Sequence, residues 1–504
     1  MGERIVVVGK NRYEWCISYL ATTCSNMVIV PIDKALPDIE MQRLIERSEA
    51  KAIIFDEKYL ETIKKVQEKE NSNLKTLICM DNIQEKGIKT FNEILEEGRN
   101  QIKNGDQKYD NIEIDENKMS IMLFTSGTTN EPKAVMLSQA NICANISNIA
   151  CWVKLYPTDV LLSFLPIHHT FECTITFLYG FYSGSQVAFC DGLKHIQQNL
   201  KEYKVSVFVA VPLVLETMYK KIQKAIEEQG KTGLIKKMTK ISNTLLKAKI
   251  DIRKIVFKQI LDNFGGHLRV VLYGAAPMNK ATIIGYNNLG ISLVQGYGLT
   301  ETSPVVTAET DKEKRPGSIG LALANLNLKI ANPDNEGVGE ITVKGPSVML
   351  GYYKNPEETK KVLKDGWFST GDYGYKDKDG FVYITGRKKD IIVLKNGKNV
   401  YPQEIEFLIN KIPYIAESLV YSRDKDTTDT MLCAKIVYDK DAIKQMIGEK
   451  TEEEYKEIIW QEIKKINQEL PIFKKIKNIT ITTEPLKKTT TQKVKRYEEL
   501  KNLT

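Results

Sequence analysis

The sequence predicts an α/β protein. A large N-terminal domain of parallel-sheet subdomains carries a small β-barrel region, and a smaller α+β domain follows a hinge. Three observations predict this. Short, nearly continuous apolar runs alternate with helical stretches through most of the chain. Between about residues 316 and 385, Gly and Pro become frequent and the apolar residues alternate. After about residue 388 a fresh set of helix and strand signals begins.

In chain order, residues 3–9 (ERIVVVG) read as a strand, 14–26 as a helix and 27–33 as a second strand. That is a βαβ unit and hence parallel sheet. KAIIFD (51–56), KTLICMD (75–81), VAFCD (187–191), VSVFVAVP (205–212) and LRVVLYG (268–274) are the runs expected of strands buried on both faces. GEITVKG (339–345) and GFVYITG (380–386) alternate, as in a small β region. Pro402 then suits the first turn of a helix. Thr451 and Glu454 form a capping box ahead of Tyr455, Ile458, Ile459, Ile463 and Ile466 on one stripe. NITITT (478–483) alternates as a strand. These signals mark a separate α+β domain after about residue 388.

Composition narrows the function. A net charge of +8 on 504 residues gives no argument for nucleic acid. None of the eight cysteines is in C-x-x-C spacing, so neither a zinc site nor a disulfide framework is signalled and a reducing cytoplasm is expected. No signal peptide is visible, and no apolar run is long enough to span a bilayer. Residues 220–262 hold twelve Lys or Arg against four acids in a helical pattern. That segment reads either as a solvated face or as a basic face resting on anionic membrane.

Four stretches carry chemistry. FTSGTTNEPKAVMLSQAN (124–141) follows an apolar strand and precedes a helix. Its Thr125, Ser126, Gly127, Thr128 and Thr129 can turn N–H groups and hydroxyls to a phosphate, with Lys133 as a cation. It is not a Walker A loop. In VQGYGLTETSP (294–304), Thr300 offers a hydroxyl to a phosphate and Glu301 a hard carboxylate to magnesium. In WFSTGDYGY (367–375), Asp372 could accept two ribose hydroxyls. GRKKDIIVLKNGKNVYPQEIE (386–406) lies on the domain boundary. Taken singly, each is also ordinary turn chemistry.

Their order and spacing resemble the adenylate-forming superfamily, which includes acyl- and aryl-CoA ligases, luciferase and peptide-synthetase adenylation domains. The loop pattern matches from Phe124 to Val135, with Asn130 and Ala134 in place of glycines. Tyr297, Gly298, Leu299, Thr300 and Glu301 match a second motif, Ser369–Asp372 a third, and Gly386–Asp390 the hinge motif. Gly274, Ala275, Ala276 and Pro277 resemble the adenine-side segment. SFLPIHHTFECT (163–174) resembles the acyl-pocket segment of long-chain fatty acyl-CoA synthetases, with His168, His169 and Thr170 lining the pocket and Gly296 keeping one wall small.

The resemblance implies that magnesium-ATP and a fatty acid give an acyl-adenylate and pyrophosphate, and that coenzyme A then displaces AMP. It puts the ribose on Asp372 and Arg387, magnesium on Glu301 and the hinge at Asp390, and so implies a division into residues 1–386, a hinge at 387–391 and a C-terminal domain at 392–504. Gly397 falls at the pantetheine tunnel, and Lys493, in KKTTTQKVKR (487–496), on the catalytic lysine. It also implies several tens of residues ahead of residue 3 in relatives. Acyl carrier protein as the acceptor, and a catalytically silent nucleotide- or acyl-binding protein, are the alternatives.

Overall fold

The computed structural model describes residues 2–125, 131–310, 313–394, 398–424, 430–488, 494–501 and 503. The chain forms two compact units. One comprises Met1–Lys329, Thr342–Ser369 and Asp377–Val382; the other comprises Ile330–Ile341, Thr370–Lys376 and Tyr383–Thr504.

The first unit contains two sheets. Strands β1 (Arg4–Val8), β2 (Val28–Pro31), β3 (Ala52–Phe55), β4 (Thr76–Cys79), β5 (Lys89–Thr90), β6 (Met119–Thr125) and β7 (Lys133–Ser138) build one of them. With β17 (Gly351–Tyr352), its order is β17-β7-β6-β2-β1-β3-β4-β5. β1 to β5 pair in parallel, as the βαβ pattern predicts, while β6–β7 and β7–β17 are antiparallel. Val6, Val8, Val28, Val30, Ile53 and Phe55 are buried in its core. The predicted helix spans Tyr13–Thr23.

The second sheet holds β8 (Val160–Ser163), β9 (Gln186–Phe189), β10 (Val207–Ala210), β11 (Val270–Tyr273), β12 (Ser292–Gly298), β13 (Val305–Ala308) and β14 (Leu321–Ala322). Its order is β14-β13-β12-β11-β10-β8-β9. The central parallel strands β10 and β11 are fully buried, which is why they read as unbroken apolar runs rather than alternating ones.

Strands β15 (Asn327–Ala331), β16 (Gly339–Lys344), β18 (Leu363–Lys364), β19 (Trp367–Lys376) and β20 (Val382–Arg387) form a five-stranded sheet whose residues are divided between the two units. Its order is β15-β16-β19-β18 with β20 on β19, so among the described residues the pairing does not close into the barrel that the sequence suggests.

In the second unit, β21 (Ile392–Val393) pairs β22 (Asn399–Val400), and β23 (Ile415–Asp424), β24 (Thr430–Tyr438) and β25 (Asn478–Thr482) make a three-stranded sheet. Pro402 opens the helix Pro402–Ile409. Thr451 and Glu454 cap Glu452–Glu469, whose Tyr455, Ile459 and Ile463 are buried with Ile405, Val420 and Ile436.

Candidate active site

The phosphate-loop motif leaves the first sheet at the end of β6 and returns at the start of β7, where Thr125 and Lys133 face each other across the antiparallel ladder. Ser126, Gly127, Thr128 and Thr129 lie outside the described residues. The Lys133 ammonium contacts Glu358 Oε2 at 2.6 Å and lies over the Tyr352 ring, 5.0 Å from its centroid. Glu358 stands on the short helix Pro356–Val362, capped by Asn355. Lys133, and then Lys361, hold its carboxyl down to about 2.

Thr300 and Glu301 sit in the tight turn that follows β12. The backbone is close-packed there: a Cβ on Gly298 would lie 1.9 Å from Pro304 O. Thr302 Oγ1 accepts from Leu299 N at 3.0 Å and donates to Pro304 O at 2.6 Å, so the turn is braced from inside. The Tyr352 hydroxyl donates to Glu301 Oε1 at 3.0 Å, and Met349 N donates to Glu301 O at 2.9 Å. β17 brings these partners in by adding to the edge strand β7, with Tyr352 opposite Val135. Burial and the neighbouring Glu301 both raise the Tyr352 phenol well above its ordinary range, so it stays protonated as a donor.

The acyl-pocket segment meets this turn. Thr170 Oγ1 and Thr300 Oγ1 are 3.5 Å apart. His168 Nε2 lies 3.7 Å from Asp33 Oδ2, a residue that sequence reading did not single out. Burial, the dominant cause, lowers the His168 pKa and favours the neutral ring. His169 Nδ1 accepts from Phe171 N at 3.2 Å and so caps the helical turn there. His168 and Thr170, with Tyr19, Ile121, Leu123 and Ile142, line a small cavity of about 10 Å³, room for roughly one water. Gly274 and Gly296 are in close approach: a Cβ on Gly274 would meet Gly296 O at 2.7 Å. A Cβ on Gly296 would meet nothing nearer than 3.9 Å, so this wall has room. Ala275, Ala276 and Pro277 are exposed beside buried Gly274, with Ala275 at a φ of 73°. Tyr297 pairs Thr307 across β12 and β13.

In the second unit, buried Asp372 follows Gly371, whose φ of 74° turns the chain. Arg387 Nε lies 3.3 Å from Asp372 Oδ1, so the two residues assigned to ribose are brought together. At the hinge motif, Gln403 Nε2 donates to Asp390 Oδ2 at 2.6 Å. Arg496 reaches the same place: its guanidinium is 3.9 Å from Asp390 Oδ1 and 2.6 Å from Glu406 Oε1, and it donates to Val420 O at 2.6 Å. Gly397 and Lys493 lie outside the described residues, but Lys488 and Val494 pair as an antiparallel bridge on either side of Lys493. Tyr352 and Glu358 were legible only as members of GYYKNPEET (351–359), and Arg496 as one of several cations in the tail.

The AMP-binding enzyme model matches residues 1–353, and the AMP-binding enzyme C-terminal domain model matches 389–503. A long-chain-fatty-acid–CoA ligase 6 from Mus musculus is 30% identical over 87% of this chain, which spans 66% of that relative's length. A chloroplastic long-chain-fatty-acid–[acyl-carrier-protein] ligase from Arabidopsis thaliana is 28% identical over 93% of the chain and 73% of its own length. The crystal structure of ATP-bound MatB from Rhodopseudomonas palustris shares the fold, with a TM-score of 0.77 and 24% identity, over 100% of this chain and 89% of that one. With one family model matching residues 1–353 and a second matching 389–503, this chain belongs to the AMP-binding enzyme family.

Proposed function

We propose that the protein activates a long-chain fatty acid with ATP and transfers the acyl group to coenzyme A. The observation that carries this reading is one linked set of contacts: Thr170 lies 3.5 Å from Thr300, and Tyr352 contacts both Glu301, the next residue, and Lys133. The name of the Mus musculus relative supports the fatty acid and coenzyme A.

A carboxylate is a poor electrophile and needs activation. Its oxygen attacks the α-phosphorus of ATP, the bond to pyrophosphate breaks, and a mixed anhydride results. The thiol sulfur then bonds to the carbonyl carbon, AMP leaves, and the thiol proton goes to solvent. Thr125 to Thr129 and Lys133 would bind the β- and γ-phosphates, and Thr300 a phosphate oxygen. Gly274 to Pro277 and Tyr297 would bound the adenine, while Asp372 and Arg387 take the ribose. His168, His169, Thr170 and Gly296 would bound the acyl group. Lys493 would meet the charge that develops at the α-phosphate, which favours the transition state over the ground state. Gly397 would leave room for pantetheine. These roles accompany a division into residues 1–386, a hinge at 387–391 around Asp390, and 392–504.

Magnesium fits the donor set present. No group of three His, Cys, Asp or Glu occurs among the described residues. Magnesium bound with nucleotide needs only one or two protein carboxylates, because phosphates and waters complete its octahedron. Glu301 would hold it, with Tyr352 fixing Oε1 and leaving Oε2 to the metal. When bound, it neutralises phosphate charge.

The Arabidopsis relative's name favours a second reading, acyl carrier protein as acceptor. Pyrophosphate release across a panel of fatty acids, with coenzyme A and carrier protein offered in turn, separates the acceptors. Acid-dependent release is expected, and its absence would leave a silent binding protein. Peripheral contact with the inner face of the membrane is a further part of this reading. No helix among the described residues is long and apolar enough to cross a membrane. Leu234 and Ile241 are exposed, seven positions apart on the helix Thr232–Lys247, within the basic segment 220–262. Co-sedimentation with anionic vesicles at low salt is expected, and no binding would remove the membrane from the proposal.

A further inference from the structure

Glu301 and Lys133 belong to different motifs, more than a hundred and sixty residues apart in the chain. One side chain touches both. The Tyr352 hydroxyl donates to Glu301 Oε1 at 3.0 Å, and the face of its ring carries the Lys133 ammonium 5.0 Å from the centroid. Tyr352 has little freedom to move. It is 5% exposed, its strand pairs with β7, and its N–H donates to Thr359 Oγ1 at 2.9 Å. A buried phenol held at its backbone and engaged at ring and hydroxyl is a rigid spacer.

We propose that Tyr352 is a positioning residue that sets the magnesium carboxylate of Glu301 and the phosphate cation of Lys133 at a fixed separation, so that metal and phosphates are received together. The proposal rests on the roles given above to Glu301 and Lys133. The hydroxyl and the ring do separable work. The hydroxyl orients Glu301 and leaves its second oxygen free to ligate, as partners behind metal ligands commonly do. The ring gives Lys133 a seat through cation–π attraction, which leaves its N–H donors available to oxygen. Glu358, 2.6 Å from Lys133, takes the place of a phosphate oxygen at that ammonium.

Tyr352→Phe keeps the ring and removes the hydroxyl. The test is equilibrium binding of ATP without metal, followed by Mn²⁺ binding to the enzyme–ATP complex, read by electron paramagnetic resonance. Metal-free ATP binding should be unchanged, and Mn²⁺ affinity should fall about 10-fold or more. Tyr352→Leu, which also removes the ring, should weaken metal-free ATP binding as well. A merely structural tyrosine would give Tyr352→Phe with Mn²⁺ affinity like that of the parent, or with both affinities reduced alike; either result overturns the proposal. Glu301→Gln is the control for the underlying reading. If it leaves Mn²⁺ affinity intact, the magnesium role of Glu301 falls, and this inference with it. If it lowers Mn²⁺ affinity while Tyr352→Phe does not, only the positioning role of Tyr352 falls.

Discussion

Glu172 lies near the end of the segment 163–174, on the turn that runs into the wide helical stretch Cys173–Leu178. Its residue is 0% exposed. Oε2 accepts from Thr176 Oγ1 at 2.9 Å, while Oε1 has no hydrogen-bond partner among the described residues. Burial dominates and pushes the carboxyl up to about 8, against the smaller opposing pull of Ser163, Thr176 and the Phe164 N–H. The native protein therefore holds a proton that the unfolded chain releases near an ordinary carboxyl pKa. Raising the pH favours the state with fewer protons, so this contribution to stability is complete at low pH and is lost as pH rises toward about 8. Each pH unit in that window is worth about 1.4 kcal/mol, so the loss from about pH 6 to about pH 8 is about 2 kcal/mol. Glu172→Gln mimics the protonated side chain at every pH. Denaturant unfolding of parent and variant across that range should show the variant gaining about 2 kcal/mol relative to the parent. Parallel stability curves would refute a neutral buried Glu172.

Three further expectations concern Lys493, in the role proposed for it, and the ion pairs of Arg496 and Glu358. Lys493→Ala should lose adenylation yet still form thioester from supplied acyl-adenylate; equal loss of both half-reactions would contradict its role. Arg496→Met leaves the carboxylates of Glu406 and Asp390 without their cation, so denaturation of the second unit should show a loss of about 3 kcal/mol or more, and unchanged stability would contradict it. Glu358→Gln removes the anion paired with Lys133, so on the phosphate role proposed for Lys133 metal-free ATP should bind more tightly in a titration; weaker binding would mean that Glu358 serves the nucleotide rather than competing with it.

Much of the first unit was legible because its chemistry is local. The buried parallel strands declare themselves as apolar runs, and Thr300 and Glu301 share one turn whose glycine at 298 is required by contact with Pro304. His168 and His169 stand out in the sequence as adjacent histidines, but the placing of Asp33 beside His168 was not legible there. Strands β23 and β24 also escaped notice, since their pairing brings Val420 against Ala434 only once the hairpin is formed.

The sequence by itself determined the family, through motifs whose residues are adjacent in the chain and whose order survives any reading of the fold. It also marked the residues proposed here for phosphate, metal and ribose. Only the tertiary structure decided how they are held. Tyr352 reaches Glu301 and Lys133 because a two-residue strand adds to β7 in one register; a shift of one residue would turn the ring to the other face of the sheet. Arg496 reaches Asp390 and Glu406 across about a hundred residues of chain for the same reason: strand order and register are set by the packing of the whole core, which no linear motif records.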